Sequence, residues 1–162
     1  MNGQWRLTKS SAAYGGMVLA GWLLAASAVL ASEVGAPIGY VKTVSGEAWV
    51  GAAGAERKAE VGTPVLLGAT LRTGPAASLG VTLRDNTVMS FGPDTELVVD
   101  EYLFDPDAQS YGFGARMARG TLNFISGLIA KARPDAQVIR TPTGTIGVRG
   151  THFLVKVEQP GG

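Results

Sequence analysis

Beyond residue 38 the chain reads as short apolar runs interrupted at close intervals by glycine, proline, asparagine and aspartate. Such runs suit strands that bury one face, whereas each interior glycine costs a helix about 1 kcal/mol relative to alanine. The pattern predicts strands at Gly39 to Val44, Gly46 to Val50, Val65 to Thr73, Leu79 to Leu83, Val88 to Phe91, Glu96 to Tyr102, Gly120 to Ile125, Val138 to Thr141, Gly144 to Val148 and Thr151 to Val157. Short strands at this spacing predict an all-β domain, arranged as a sandwich or a short solenoid-like stack.

The turns have stated causes. Asp85 and Asn86 separate Leu83 from Val88, and asparagine tolerates the left-handed backbone that a tight hairpin needs. Gly92-Pro93-Asp94 and Gly74-Pro75 mark two further reversals, and the polar stretch Asp105 to Gly114 is expected to be an exposed loop. Gly62, Gly68, Gly74, Gly80, Asn86 and Gly92 fall at a constant spacing of six. A strict hexapeptide β-helix would place an apolar stack just before each, but Thr73 and Asp85 break it, so the spacing reads as turn punctuation. Leu122, Ile125, Leu128, Ile129 and Ala132 share helical spacing, yet Gly120, Gly127 and Pro134 restrict it. A strand to about Ile125, then a turn or short helix, is expected.

The closing segment poses a parity problem. Ile146 and Val148 point one way in a pleated strand, while Phe153, Val155 and Val157 have the opposite parity. A bulge at Gly150 would return all five to one core face and set Arg149 beside the kink, available to a carboxylate or carbonyl.

Composition changes the picture first at the N-terminus. Arg6 and Lys9 precede an uncharged, largely apolar stretch from Ser10 to Ser32, the layout of a secretory signal. Val29 and Ala31 suit cleavage after Ala31, with Ala26 and Ala28 as a second register. The rival is a retained anchor, because Tyr14 to Leu30 approaches the length that spans a bilayer. Residues 1–31 are therefore expected to be a hydrophobic helix acting as signal peptide or signal anchor. The remainder would be periplasmic or secreted, touching the inner membrane only through an uncleaved segment. The chain has no cysteine, so neither a lipid-modified cysteine nor a disulfide framework is available.

Lys and Arg total 14 against 13 Asp and Glu, a balance that argues against nucleic acid as partner. The charges are uneven, however: 5 basic and 11 acidic residues from Ser32 to Asp107, then 7 basic and 2 acidic from Ala108 to Gly162. Either the halves neutralise each other across one domain, or a basic face steers an anionic partner.

The residues offer little for catalysis. His152 is the only histidine, which leaves no His-rich zinc site and no Cys-His nucleophile. No Gly-x-Ser-x-Gly elbow occurs. Asp100, Glu101, Asp105 and Asp107 lack the calcium-loop glycine and terminal glutamate, and read as a solvated acidic loop. No metal, cofactor or catalytic residue is expected, and the chain is read as a non-enzyme. Trp49 and Phe104 are expected in the core, while Tyr111 and Phe113, in the glycine-flanked loop, are candidates for partner contact together with Arg149.

The run Thr141-Pro142-Thr143-Gly144-Thr145-Ile146-Gly147-Val148-Arg149-Gly150-Thr151-His152-Phe153 resembles the terminal signature of FecR domains, a Thr-Pro turn leading to a V-R-G-T-x-F strand. Its structural marks are Pro142, Gly147, Val148, Arg149, Gly150, Thr151 and Phe153. Gly39 to Val50 resembles the family's opening strand pair, Leu66 to Gly74 its G-D-x-L-x-T-G segment with Ala69 at the usual acid, Leu83 to Phe91 its L-x-D-G-S-x-L hairpin, and Gly120 to Lys131 the segment before the last strands. The resemblance implies a FecR-like β domain over residues 38–157 with a tail at 158–162. Full-length members add a cytoplasmic anti-sigma segment; the short stretch before the apolar segment leaves no room for one, so a FecR domain without that half is expected. The implied function is an exported protein-binding module, accessory to envelope signalling, with an envelope protein as partner. The alternative is a structural or polysaccharide-associated surface protein with a glycan as ligand.

Overall fold

The computed structural model describes residues 35–149 and 152–158. The expected N-terminal helix, Gly150, Thr151 and residues 159–162 lie outside the described residues.

The described chain is all-β apart from one short helix. In order it forms β1 (Gly39–Ser45), β2 (Ala48–Ala52), β3 (Ala55–Lys58), β4 (Pro64–Val65), β5 (Thr70–Thr73), β6 (Ser78–Leu83), β7 (Val88–Phe91), β8 (Glu96–Asp105), β9 (Ser110–Ile125), α1 (Leu128–Ala132), β10 (Gln137–Thr141), β11 (Gly144–Gly147) and β12 (His152–Val157). The strands make one curled sheet in the order β3-β2-β5-β8-β9-β7-β6-β1-β4, with β10 and β12 also paired to β9 and β11 paired to β10. Every pairing is antiparallel except β9 with β10.

Strand β9 is the spine. Its first part pairs with β8 and β10, and its last part with β7 and β12. Between the two parts sits Gly120, at φ +97, where a Cβ would run into Thr95. Only glycine fits both that backbone and that approach. Thr95 Oγ accepts from Thr121 N at 3.0 Å and donates to Gly92 O at 2.9 Å, while Thr73 Oγ donates to Gly92 O at 2.6 Å. Buried threonines thus satisfy the backbone groups that the bend takes out of the ladder.

Alternation along the strands builds one core. Leu79, Val81, Met89, Leu122 and Phe124 from one half meet Leu71, Leu97, Met117, Phe113 and Ile139 from the other. Phe124 links the halves: its ring lies 5.2 Å from that of Phe113, tilted, and 4.8 Å from that of Phe153, stacked.

The expected hairpin at Asp85-Asn86 forms, with Asn86 at φ 65 and Asn86 N bonded to Leu83 O. Its aspartate is more deeply placed than a turn residue usually is. Asp85 is fully buried, accepting from Thr87 Oγ at 2.7 Å, from the Tyr102 hydroxyl at 3.2 Å and from Ile129 N at 3.3 Å. Its backbone carbonyl caps α1 through Leu128 N. The strand-then-short-helix reading of residues 120–132 also holds, with Ile129 buried.

Three expectations are corrected, and one strand was not expected. The polar run at 105–114 is not an exposed loop: Pro106 to Gln109 form the turn, Ala108 N bonds to the Asp105 carboxylate at 3.0 Å, and β9 starts at Ser110. The run Val65 to Thr73 breaks at Leu66 to Ala69, where Gly68 has φ +78 and Ala69 N bonds to Leu66 O. Residues 55–58, polar and without alternation, form edge strand β3. Finally, β11 and β12 belong to different pairings, so the five closing apolar residues do not share a face. Val148, Val155 and Val157 are buried and Phe153 is half-buried, but Ile146 is exposed. The six-residue spacing serves several purposes: Gly62, Gly68 and Asn86 take left-handed backbone, while Gly80 lies inside β6 against Thr43.

A candidate partner-binding site at the closing strand

The residues of the terminal signature occupy two strands and a hairpin. Pro142 and Thr143 form the turn between β10 and β11, held by Thr141 Oγ donating to Gly144 O at 3.0 Å. Gly147 is exposed at the end of β11, and Val148 turns inward, its N–H bonded to Gln137 O at 2.9 Å. Arg149 follows, 79% exposed, with its guanidinium 3.7 Å from an equally exposed Asp135. An exposed pair at that distance contributes little to stability. The Arg149 charge therefore stands at the surface, and the backbone bond of Val148 secures the segment.

Strand β12 pairs with β9 alone, in the register His152↔Ile125 to Val157↔Gly120, and its other edge carries no strand among the described residues. Its side chains alternate: Phe153, Val155 and Val157 face the core, while His152, Leu154 and Lys156 face solvent. Leu154 is 68% exposed, the most exposed large apolar side chain among the described residues. His152 Nε2 lies 2.6 Å from Asn123 Oδ1, a contact that needs the ring proton on Nε2. A groove of about 410 Å³ runs along this region, lined by Ile146 and Arg149 on one side and Phe153, Leu154 and Lys156 on the other.

The outer faces of the two halves differ. Across β6, β7, β9 and β12 the outward residues Thr82, Val88, Ser90, Asn123, Ile125 and Leu154 are uncharged, and Lys156 on β12, paired with Glu158 at 2.9 Å, adds a charge at one end. Across β2, β5, β8 and β9 the outer face is a lattice of ions: Arg72 bonds Glu56 at 2.9 Å and stacks over Trp49, Arg119 bonds Glu96 at 3.1 Å, and Arg116 grips Asp100 through two bonds of 2.6 and 2.7 Å. Two of these pairs join the acidic first half of the chain to the basic second half. Two charges of each half are thus neutralised across the fold.

The loop aromatics do not form a surface pair. Phe113 is 1% exposed and lies in the core opposite Tyr102, because β9 begins three residues before it and points it inward. Tyr111 is half-buried against Phe104, with ring centroids 6.3 Å apart. Trp49 is half-buried rather than core. Of the three expected contact residues, only Arg149 is freely exposed, and it lies on the β11–β12 side rather than near Tyr111. Leu154 was missed by sequence reasoning because one apolar residue in an alternating strand looks like any other; its exposure follows from which face β9 leaves open.

The acidic residues around Tyr102 are dispersed. Asp100 is taken by Arg116, Asp105 caps its turn, and among the described residues no three acid or histidine side chains converge as a metal site. The Tyr102 hydroxyl is held protonated well above the ordinary tyrosine range, first by burial and then by the adjacent Asp85 charge.

The FecR protein family model matches residues 69–162. No curated protein and no solved structure matches the chain. The matched residues run from β5 through the closing strand, and strands β1 and β2, which precede them, are hydrogen-bonded to β6 and β5. With more than half of its length matched, this chain belongs to the FecR family, whose domain marks regulators of signalling at the cell envelope.

Proposed function

We propose that this protein is an exported, non-enzymatic FecR module that binds an envelope protein and assists envelope signalling. Residues 1–31 would direct export as a signal peptide or anchor, and residues 38–157 would be the working part in the periplasm or beyond. The observation that carries the reading is the edge of β12 that no strand among the described residues covers, with exposed Leu154 and Arg149 beside it. An extended segment of a partner can add to such an edge, gaining main-chain hydrogen bonds for affinity and side-chain contacts for specificity. The outer face of β7 and β9 beside β12, where Val88, Ser90, Asn123 and Ile125 carry no charge, suits the same role, since charge is depleted from the centre of protein interfaces.

The test is a competitive pull-down from envelope extracts with the full chain as bait. The reading expects a saturable protein that is displaced by free wild-type chain but not by Leu154→Glu, whose fold is preserved. Retention of the same protein by Leu154→Glu, or the absence of any saturable protein, would reject the edge as the binding site. The glycan alternative loses the exposed aromatic pair that motivated it, because Phe113 is in the core.

A further inference from the structure

A second concave site lies away from β12, at the corner where the β2–β3 hairpin meets the turn before β5. It encloses about 440 Å³ and is mostly apolar. Val50 and Ala69, both buried, lie deepest; Leu66 and Leu67 form one wall and Ala55 the other. Leu67 is 52% exposed although it faces a ready-made apolar recess. The one charged residue of the lining is Arg57.

The parity of β3 explains this arrangement. Glu56 points to the outer face and binds Arg72, so Ala55 and Arg57 point to the opposite face, toward the groove. Arg57 has no ion pair or side-chain hydrogen bond among the described residues, whereas Arg72 on β5 and Arg116 and Arg119 on β9 are paired with acids. A recess of this size, apolar with a single unpaired cation at its mouth, has the composition of a small-ligand pocket. Its charge specifies the sign of the ligand head group, and its small side chains leave room for a chain rather than a ring stack.

We infer that this groove binds a single-chain carboxylate amphiphile, with the hydrocarbon along Leu66, Leu67 and Val50 and the carboxylate on Arg57. The competing role for Arg57 is defensive: a charge pointing inward on an edge strand blunts edge-to-edge aggregation.

Calorimetric titration of the full chain with decanoate, decanol and decyltrimethylammonium, each below its micellar concentration, separates these roles. The inference expects saturable one-to-one binding of decanoate, about tenfold tighter than decanol, since a charge-assisted bond is gained. Decyltrimethylammonium should bind weakest. Arg57→Ala should bring decanoate down to the decanol level and leave decanol unchanged, and Ala55→Trp should abolish both while circular dichroism shows an unaltered fold. Binding through the apolar N-terminal segment would respond to neither substitution. The inference is overturned by equal binding of the anionic and cationic probes, by binding that survives Ala55→Trp, or by association with phosphatidylglycerol vesicles but not with decanoate. It is overturned equally if Arg57→Ala self-associates with its decanoate affinity intact.

Discussion

At the residue scale, two small polar networks decide where the chain can turn. Asp85 is buried with Thr87, Tyr102 and the start of α1 as donors, so the hairpin, β8 and the helix are tied through one carboxylate. Tyr102→Phe removes a donor to that carboxylate and an acceptor from Asp85 N, and is expected to cost about 1–3 kcal/mol in urea unfolding. The same substitution tests the raised ionisation of Tyr102. A folded-state pKa raised above the unfolded value means a contribution that is complete below about pH 10 and lost as pH rises beyond it. Wild type should therefore lose more stability above about pH 10 than Tyr102→Phe does. Equal losses in the two proteins would show that the hydroxyl is not held as described. At the bend of β9, Gly120→Ala meets both a positive φ and Thr95, and is expected to destabilise by more than about 1 kcal/mol, read from the same denaturation curves. Asn86 was legible as the hairpin residue because left-handed backbone is rare outside glycine, asparagine and aspartate. The depth of Asp85 was not legible, because beyond the adjacent Thr87 its donors come from residues 17 and 44 positions away.

At the scale of elements, β7 and the strand-to-helix passage after β9 follow directly from alternation and glycine punctuation. The misreadings share a cause. Residues 55–58 carry Glu56, Arg57 and Lys58, as edge strands often do to discourage pairing, so their composition resembles a loop. The start of β9 was hidden by Gly112 and Gly114, which are small because Glu101 packs against them from β8. Glycine there marks close approach between strands, not a turn. The closing segment was read as one bulged strand because parity alone cannot reveal a change of partner; β11 pairs with β10 and β12 with β9. The roles of β12 can be separated by two substitutions. Phe153→Ala removes a ring stacked on Phe124 and should cost about 2 kcal/mol, less than a fully buried phenylalanine. Leu154→Glu, on the open side, should change stability by no more than about 0.5 kcal/mol while removing partner binding. Thermal or urea unfolding read beside the pull-down would expose any confusion of the two.

At the scale of the whole molecule, the curled sheet explains how a chain without disulfides holds together: β9 contributes to both halves, and one continuous core fills the space between them. The halves differ on the outside, one laced with ion pairs and the other carrying few charges. Salt should therefore affect the protein weakly, since exposed pairs contribute little and are screened. Family membership was legible from the ordered segments that fall within residues 69–162, of which the closing one carries most weight. The binding surface was not, because an open strand edge depends on pairing that only the assembled sheet defines. The most direct measurement of the central claim is site-specific photo-crosslinking in intact envelope preparations, with the probe placed at Leu154 and, in a control, at Leu103, an exposed apolar residue on β8. The account predicts a discrete protein adduct at Leu154 that free wild-type chain suppresses, and none at Leu103. Adducts of equal yield and identity from both positions, or none from Leu154, would contradict it.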